Sequence, residues 1–375
     1  MAGIYIHIPF CKKACYYCNF HFSTSKDSLH EMVNAICKEA ALRNDYIQDD
    51  IATIYFGGGT PSLLTIDDLQ FTIATLGGLF KVKTDAEITL EANPDDITQE
   101  KLLQWKQAGI NRLSIGVQSF FDDDLQWMNR AHNAEQAFKS ILLAKEFGFN
   151  NITIDLIYGT PVLSDENWIL NIEKALELDV PHLSCYALTV EPNTALQKMI
   201  TQHKKENVDP EKQSRQFEML TEKLCKAAYE HYEISNFAKP GFRSKHNSGY
   251  WQGKPYLGLG PSAHSYNKTS RQWNVANNAL YIKSINENIV PFEKEELSST
   301  QKINEYLMTS LRTIEGASLQ YIKNLCCEET TADILCDAEK FIQRDWVKKE
   351  NDFLILTQKG KLFADGIAAD LFRII

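Results

Sequence analysis

The sequence predicts an α/β protein built on a partial TIM-type (β/α)6 barrel and followed by a small C-terminal domain that is helical and winged-helix-like. Three observations predict this fold. Short β-rich runs alternate with longer segments of helical periodicity, which is typical of parallel sheets. About six such units follow one another along the 375 residues. From about Pro291 the pattern becomes helical and then ends in a hairpin and a last helix.

The predicted barrel strands are apolar runs, and polar or glycine residues follow them. The clearest helices between them are Leu29–Asn44 and Ala134–Phe147. Active sites of such barrels lie at the carboxyl ends of the strands, so we expect the residues there to meet in one site. The predicted strands are Ile4–Ile8, Ile51–Phe56, Glu87–Glu91, Arg112–Val117, Ile152–Ile157, His182–Leu188 and Tyr232–Ser235.

We expect three segments: a barrel over residues 1–235, a connecting segment over 236–290 and a C-terminal domain over 291–375. The last domain carries ten basic and twelve acidic residues from Ser299 onward, which argues against a DNA-binding face. We expect a lid or docking module, with Arg312 and Glu315 as an ion pair. Its predicted elements are helices at Thr300–Thr313, Leu319–Leu325 and Ala332–Gln343, a hairpin at Trp346–Leu356 and a helix at Thr357–Phe372.

Composition excludes several classes of protein. A formal net charge of −10 argues against a general nucleic-acid surface. The N-terminal run does not resemble a signal peptide, and no apolar run approaches the length of a membrane span. Nine cysteines, six of them scattered on predicted apolar faces, indicate free thiols in a reducing compartment. We therefore expect a cytoplasmic protein.

Three cysteines follow the first predicted strand in a C-x3-C-x2-C pattern: Cys11, Cys15 and Cys18. Thiolates are the usual ligands of iron–sulfur clusters, and this spacing favours a cluster. A zinc site would need a fourth ligand, for which His21 is the only nearby candidate. Core thiols without a metal are the third alternative.

Other candidates follow later strands. The Gly57-Gly-Gly-Thr-Pro61 run would let backbone groups approach a ligand, or would form a tight strand-to-helix turn. Glu91 and Asp155 could accept hydrogen bonds from a ligand, or act as structural caps. Arg130 could bind a carboxylate, with a solvated position on a helix surface as the alternative.

Together these motifs resemble one branch of the radical SAM family, which holds the oxygen-independent coproporphyrinogen III oxidases (HemN type) and the HemW-type heme chaperones. The resemblance covers nearly the whole chain. It implies a 4Fe-4S cluster on the three cysteines with S-adenosylmethionine on the fourth iron. The S-adenosylmethionine site would comprise Tyr5, Gly58, Gly59, Thr60, Glu91, Gln118, Arg130, Asp155 and Ala187. The motifs are Tyr5-x-His7-Ile-Pro-Phe-Cys11, Gly57-Gly-Gly-Thr-Pro61, Glu91-x-Asn-Pro94, Gly116-Val-Gln-Ser119, Asn129-Arg-x-His132 and Asp155-Leu-Ile-Tyr-Gly.

Two departures from the oxidases separate the subgroups. The pattern of the oxidases has a fourth cysteine two residues past the third. This chain has Phe20 at that position. The oxidases also carry an N-terminal extension, whereas only three residues precede the first predicted strand of this chain. Both differences argue against the oxidase reaction.

The positive marker of the HemW subgroup is H-N-x-x-Y-W, which matches His246-Asn-Ser-Gly-Tyr-Trp251. The resemblance implies a heme site at His246, Tyr250 and Trp251. Imidazole is a common axial ligand of heme iron, and the two aromatic rings offer flat apolar surface. A loop stabilised by His246, with both rings packed on the barrel, is the alternative. Further candidates are Lys239, Arg243 and Lys245 for the propionates, and His264 in a glycine-rich loop.

The resemblance therefore implies a heme chaperone that binds heme and passes it to an acceptor apo-hemoprotein, such as a respiratory one. The alternative is an oxygen-independent coproporphyrinogen III oxidase, which cleaves S-adenosylmethionine homolytically and decarboxylates the propionates. A radical enzyme with an unrelated substrate is the third hypothesis. Whether two chains form a homodimer, and whether a transient partner is membrane-associated, stays open.

Overall fold

The computed structural model of the protein describes residues 1–373. Its first part alternates strands and helices. The strands are β1 Ala2–Ile8, β2 Ile51–Gly58, β3 Val82–Ala92, β4 Arg112–Gln118, β5 Ile152–Tyr158 and β6 His182–Ala187. The helices are α1 Leu29–Leu42, α2 Ile66–Leu79, α3 Gln99–Gln107, α4 Asp122–Trp127, α5 Ala134–Glu146, α6 Asp165–Glu177, α7 Ala195–Thr201 and α8 Pro210–Lys226.

The second part adds shorter strands and a group of helices. The strands are β7 Glu230–Glu233, β8 Asn236–Ala238, β9 Tyr256–Leu259, β10 His264–Tyr266, β11 Ser270–Asn274, β12 Phe292–Glu296, β13 Ala317–Ser318, β14 Val347–Glu350 and β15 Phe353–Leu356. The helices are α9 Lys245–Trp251, α10 Asn278–Asn286, α11 Ser299–Ser310, α12 Leu319–Leu325, α13 Glu328–Gln343 and α14 Ala364–Asp370. Short 3-10 turns lie at Pro61–Leu63, Pro94–Asp96 and Gly360–Phe363.

The predicted (β/α)6 architecture is confirmed. Strands β1 to β6 are adjacent and parallel, in sequence order. Strands β9 to β12 extend the sheet beyond β1, and β8 and β7 extend it beyond β6. Within residues 1–373 the two end strands, β12 and β7, do not pair, so the barrel is open. Through this range no helix has the length and apolar character needed to cross a membrane.

The expectation that the strands are apolar is wrong for every second residue. Side chains alternate between the two faces of a strand. The outward residues, such as Ile4, Ile6 and Phe56, pack against the helices and form the main core. The inward residues are largely polar, as Tyr5 and His7 show on β1. The barrel interior is therefore a polar chamber rather than a second apolar core.

A buried polar network attaches the β9–β12 extension to α1. The guanidinium of Arg43 donates to Glu39, to the Gly258 carbonyl, to Ser265 and to Gln272 at 2.8–3.2 Å. Glu39 is 0% exposed and also accepts from the Tyr281 hydroxyl and from the backbone and side chains of the extension. These bonds fix the position of the extension on the barrel.

The C-terminal elements enclose a second hydrophobic core that includes Leu307, Ile334 and Leu354. Their small sheet has the order β13-β15-β14. The predicted last helix is too long at its start, because Thr357 continues the hairpin by donating to the Trp346 carbonyl. The three-segment division stays a prediction, and β12, assigned there to the last segment, pairs with β11 in the large sheet.

The predicted Arg312–Glu315 ion pair is wrong. Arg312 instead donates to Glu233 and Asp365, and Glu315 accepts from Arg243. All three pairings span a large sequence separation, which a local pattern could not show. Arg312 and Arg243 therefore tie the C-terminal elements to the end of the barrel.

Changing Arg43 to Met should lower the free energy of unfolding by about 3–5 kcal/mol, because Glu39 would remain buried without its cation. Chemical denaturation followed by circular dichroism measures this. The matched control is Arg215→Met, which removes only the surface pair with Asp165 and should cost less than about 1 kcal/mol. Equal effects of the two changes would contradict the role of the network.

Candidate functional site

The cysteine loop, which we define as residues 9–23, leaves β1 at its carboxyl end. A bridge between Phe10 and Ser23 closes its base. Cys11, Cys15 and Cys18 are free and only partly buried. Burial raises the pKa of the Cys11 thiol and raises that of Cys18 to about 11. Metal ligation would have to displace these protons.

The donor set suits a cluster better than it suits one ion. Within residues 1–373, no three His, Cys, Asp or Glu side chains lie close enough together to hold a single metal ion. A cubane cluster makes a different demand, because each cysteine binds a different iron. The ring of His21, the fourth ligand considered for zinc, bonds instead to Asn278 at 2.7 Å.

Arg130 lies beside the cysteine loop. It follows α4 in a loop, so the alternative of a helix-surface arginine is wrong. Its guanidinium donates to the Cys15 sulfur at 3.2 Å, to the Asn93 side chain at 2.7 Å and to the Gly116 carbonyl at 2.8 Å. Its buried Nε has no hydrogen-bond partner within residues 1–373. A carboxylate of an added ligand would suit this free donor.

The glycine run brings the loop after β2 against the cysteine loop. The Gly59 N–H donates to the Ile8 carbonyl at 2.9 Å. A Cβ at Gly59 would lie 2.6 Å from the Phe10 carbonyl oxygen, closer than such atoms approach. At Gly58 the φ is +104°, and a Cβ would lie 2.6 Å from the ring of His7. Glycine is therefore required here by contacts within the protein.

Two carboxyl groups face the barrel interior. Glu91 accepts from the Tyr55 hydroxyl at 2.7 Å. Burial raises the pKa of Glu91 to about 7, although this hydrogen bond lowers it. Burial likewise raises the pKa of Asp155 to about 7, against the lowering effect of the Ser184 hydroxyl. Each group can therefore exchange a proton near neutral pH.

Tyr5 and Thr60 lie close to these groups. The Tyr5 hydroxyl is 3.1 Å from Nδ1 of His7. Thr60 is buried, and its hydroxyl accepts from Asn93 at 3.3 Å. Since Asn93 also accepts from Arg130, the three side chains form one chain of hydrogen bonds across the strand ends.

Gln118 and Ala187 lie at the ends of their strands. Gln118 is buried and has a φ of +67°, next to an irregularity in the β4–β5 pairing. Such a conformation is uncommon outside glycine and frequently marks functional sites. Ala187 ends β6 opposite Tyr158. Apart from Arg130, which follows α4, the predicted S-adenosylmethionine residues belong to strands or to the loops at their carboxyl ends.

His246 is placed differently from the other candidates. Its ring is 3% exposed inside the barrel. Nδ1 is 2.7 Å from the Thr53 hydroxyl, and Nε2 is 2.8 Å from the Tyr250 hydroxyl. Burial lowers the pKa of His246 to about 3. Coordination of an iron by this ring would require one of the two hydrogen bonds to break.

Two of the basic residues expected at the propionates are already paired. Lys239 pairs with Asp179, and Arg243 pairs with Glu230 and Glu315. Lys245 is exposed at the start of α9. Lys239 and Arg243 are therefore less suited to bind propionates than the sequence suggested.

A large cavity lies beside this helix. Its volume is about 1180 Å³, and its walls come from β1, the cysteine loop, α9 to β11 and the C-terminal helices. Tyr250 and Trp251 belong to its lining, as does Phe20, which is 65% exposed. Arg312 lies over the Trp251 ring at 5.4 Å. The cavity thus joins the aromatic motif to the cysteine loop.

Sequence reasoning missed most of the lining. Tyr250 packs edge-on against Tyr256 with ring centroids 4.6 Å apart, and Tyr256 lies 6.3 Å from Tyr266. Arg271 lies over the Tyr266 ring at 5.5 Å. The alternating pattern of β9 and β10, with tyrosines two residues from a glycine or histidine, is the signal that could have found this wall.

His264 begins β10 and also lines the cavity. It is exposed, and its ring lies over Trp273 at 6.2 Å. Partial burial of the ring and the positive charge of Arg271 lower the pKa of His264. His264 therefore belongs to a strand rather than to a loop, and it lines the cavity.

Comparison with known proteins places these features in a family. The Radical SAM superfamily matches residues 5–178. The heme chaperone HemW of Bacillus subtilis is 34% identical over 98% of both chains. That of Escherichia coli is 31% identical over 97% of this chain and 96% of its own. The chain belongs to the HemW family of radical SAM proteins. Membership of the radical SAM superfamily implies a 4Fe-4S cluster and S-adenosylmethionine.

A solved structure shows which known fold the chain shares. The structure of the coproporphyrinogen III oxidase HemN from Escherichia coli superposes with a TM-score of 0.86 over 100% of this chain and 90% of that one. The two are 23% identical, so this likeness concerns the fold. The HemW family and the oxidase thus share one architecture.

The raised pKa of Glu91 predicts a pH-dependent contribution to stability. Between its usual value of 4.5 and about 7, the folded protein keeps a proton that the unfolded chain releases. Raising the pH across this range therefore lowers the free energy of unfolding. Glu91→Gln should lose less stability over this range than the wild-type protein. Denaturation at several pH values without S-adenosylmethionine tests this, with exposed Glu146→Gln as the control. Parallel curves for Glu91→Gln and the wild-type protein would contradict the prediction.

Proposed function

We propose that the protein is a heme chaperone, which binds heme in the cavity beside the His246–Trp251 helix and passes it to an acceptor apo-hemoprotein. The main structural support for this proposal is the cavity. Its volume of about 1180 Å³ lies above the roughly 300–1,000 Å³ of most ligand pockets and leaves room for a porphyrin. The names of the HemW relatives point to the same function.

The chemistry of the walls suits a porphyrin. Tyr250, Trp251, Tyr256 and Tyr266 provide aromatic faces for a flat apolar ring. His246 would hold the Tyr250 hydroxyl from the barrel interior. Lysines at the rim supply positive charge for the propionates: Lys254, Lys268 and Lys302. A ligand in this cavity would therefore contact both apolar aromatic surface and positively charged side chains.

The cofactor site would lie at the neighbouring strand ends. Cys11, Cys15 and Cys18 would hold the 4Fe-4S cluster, and S-adenosylmethionine would occupy its fourth iron. When bound, such a cluster supplies an electron-transfer centre. The free Nε of Arg130 would meet the cofactor carboxylate. Its other partners would be Tyr5, Gly58, Gly59, Thr60, Glu91, Gln118, Asp155 and Ala187.

Transfer requires that heme can leave as well as enter. The cavity opens to solvent and includes exposed residues of the C-terminal helices, such as Met308 and Tyr321. An acceptor hemoprotein, for example a respiratory one, would dock on this side. The proposal needs no nucleic acid, and it leaves open whether the acceptor is membrane-associated or the chain dimerises.

One observation favours a second function, oxidative decarboxylation of coproporphyrinogen III. Tyr5 and His7 line the cavity, so a porphyrinogen there would lie beside the cysteine loop. Phe20 argues against it, since it places an apolar ring where the oxidases have a cysteine. Anaerobic incubation with reductant, S-adenosylmethionine and coproporphyrinogen III should give no protoporphyrinogen, and its formation would favour the oxidase.

Changing Cys15 to Ala should remove the cluster, because a cubane with two protein ligands is not retained. Iron and sulfide content and the broad visible absorption of the reconstituted protein measure this loss. Cys336→Ala, at an exposed cysteine outside the loop, is the matched control and should keep full content. Phe20→Cys should also keep it. Full iron and sulfide in Cys15→Ala would contradict the cluster assignment.

Heme titration of the cluster-loaded protein, followed by its Soret band, should saturate near one heme per chain. Trp251→Ala should weaken binding about tenfold, the effect of losing about 1.4 kcal/mol of contact energy. Phe71→Ala, at an exposed ring outside the cavity lining, is the control and should bind normally. Absence of saturable binding by the wild-type protein would remove the chaperone proposal.

A further inference from the structure

We propose that His264, rather than His246, supplies the protein ligand of the heme iron. This inference rests on the proposed heme site and assigns a residue outside the H-N-x-x-Y-W motif to it. It follows from which histidine lining the cavity has ring nitrogens without a hydrogen-bond partner among residues 1–373.

His7 and His264 line the cavity, and His246 lies on the helix beside it. His7 and His246 have both ring nitrogens engaged. His246 is bonded to Thr53 and Tyr250. His7 has Nδ1 at 3.1 Å from the Tyr5 hydroxyl and Nε2 at 2.9 Å from the His21 carbonyl. Neither can bind iron without losing an internal hydrogen bond.

His264 has no such bond. Within residues 1–373, no hydrogen-bond partner lies in reach of its ring nitrogens, and the side chain is exposed in the cavity wall. A neutral imidazole with a free nitrogen is a common axial ligand of heme iron. Coordination would therefore cost His264 no hydrogen bond within the protein.

Three contacts fix the backbone around His264. Its residue pairs with Trp273 across β10 and β11, and its ring lies over the Trp273 ring. A Cβ at Gly258 would lie 2.0 Å from the His264 carbonyl oxygen, so glycine lets β9 approach it. The next residue, Ser265, accepts from Arg43 on the opposite face of the sheet. The imidazole is thus presented from a fixed strand.

The tyrosines of the wall are weaker candidates. A phenol must lose its proton to bind iron strongly, as in the tyrosinate-ligated hemes. Burial raises the pKa of Tyr256 and of Tyr266, which opposes that loss. Tyr250 is also engaged, because its hydroxyl bonds to His246.

The charge around His264 matches a heme with its propionates. Lys254 and Lys268 are exposed in the cavity lining, and Lys302 lies across from them on α11. Within residues 1–373 none of the three makes a salt bridge, whereas Arg271 is bonded to Glu305 at 2.6 Å. Free cations and a free imidazole therefore occur in the same wall.

The test compares heme with metal-free protoporphyrin IX on cluster-loaded protein, so that the cysteines cannot bind the heme. His264→Ala should shift the Soret and visible bands away from those of an imidazole-ligated heme and weaken heme binding about tenfold or more. Binding of the metal-free porphyrin should be unchanged, because only the iron–nitrogen bond is removed. Added imidazole should restore the wild-type bands.

Two control variants complete the test. His203→Asn, at an exposed histidine outside the cavity, should behave as wild type. His246→Ala should keep the imidazole-type bands, even if loss of its bond to Tyr250 weakens binding of both porphyrins.

Unchanged bands and affinity in His264→Ala would overturn the inference, as would an equal loss of both porphyrins, which would show a packing role. Loss of the ligand bands in His246→Ala alone would assign the iron to His246. Absence of saturable heme binding by the wild-type protein is a separate outcome, since it removes the heme site itself.

Discussion

The backbones of two neighbouring loops touch at Gly59, and the position of the cysteine loop depends on that contact. The Gly59 N–H bonds to the Ile8 carbonyl, and the Phe10 backbone occupies the space where any Cβ would lie. Because the two strands are parallel, this contact forms at the same barrel edge at which Glu91 and Arg130 arrive. A larger residue at position 59 would push Cys11 away from them. One steric constraint thus assembles the candidate cofactor site.

The second organising feature is the polar interior of the open barrel. In a sheet covered on both faces by apolar layers, strands are apolar throughout. Here the helices cover one face, and the other encloses tyrosines, carboxyl groups and the ring of His246. Those groups satisfy one another, as the links from Thr53 through His246 to Tyr250 show. The H-N-x-x-Y-W helix therefore contributes a polar plug to the barrel and an aromatic face to the cavity.

The cavity forms because the β9–β12 extension and the C-terminal elements are both held against the barrel. Its walls on β9 to β11 are held by the Glu39–Arg43 network, and its far side is brought in by the ion pairs of Arg312 with Glu233 and Asp365. None of these groups lies in a cofactor motif, yet each sets the distance between two walls. The C-terminal elements line the cavity, and their role as a lid or docking module stays a prediction.

Local sequence patterns determined the six parallel strands, the cysteine spacing and the family, because strand periodicity and short motifs depend on neighbours in the chain. Tertiary structure alone decided which groups hydrogen-bond to the His246 ring, because its partner Thr53 is 193 residues away in the chain. It also decided that Arg130 lies beside Cys15, and that Tyr256 and Tyr266 share one cavity wall with the helices after β12. Hydrogen bonds and cavities depend on which distant groups meet, and no local spacing contains that information.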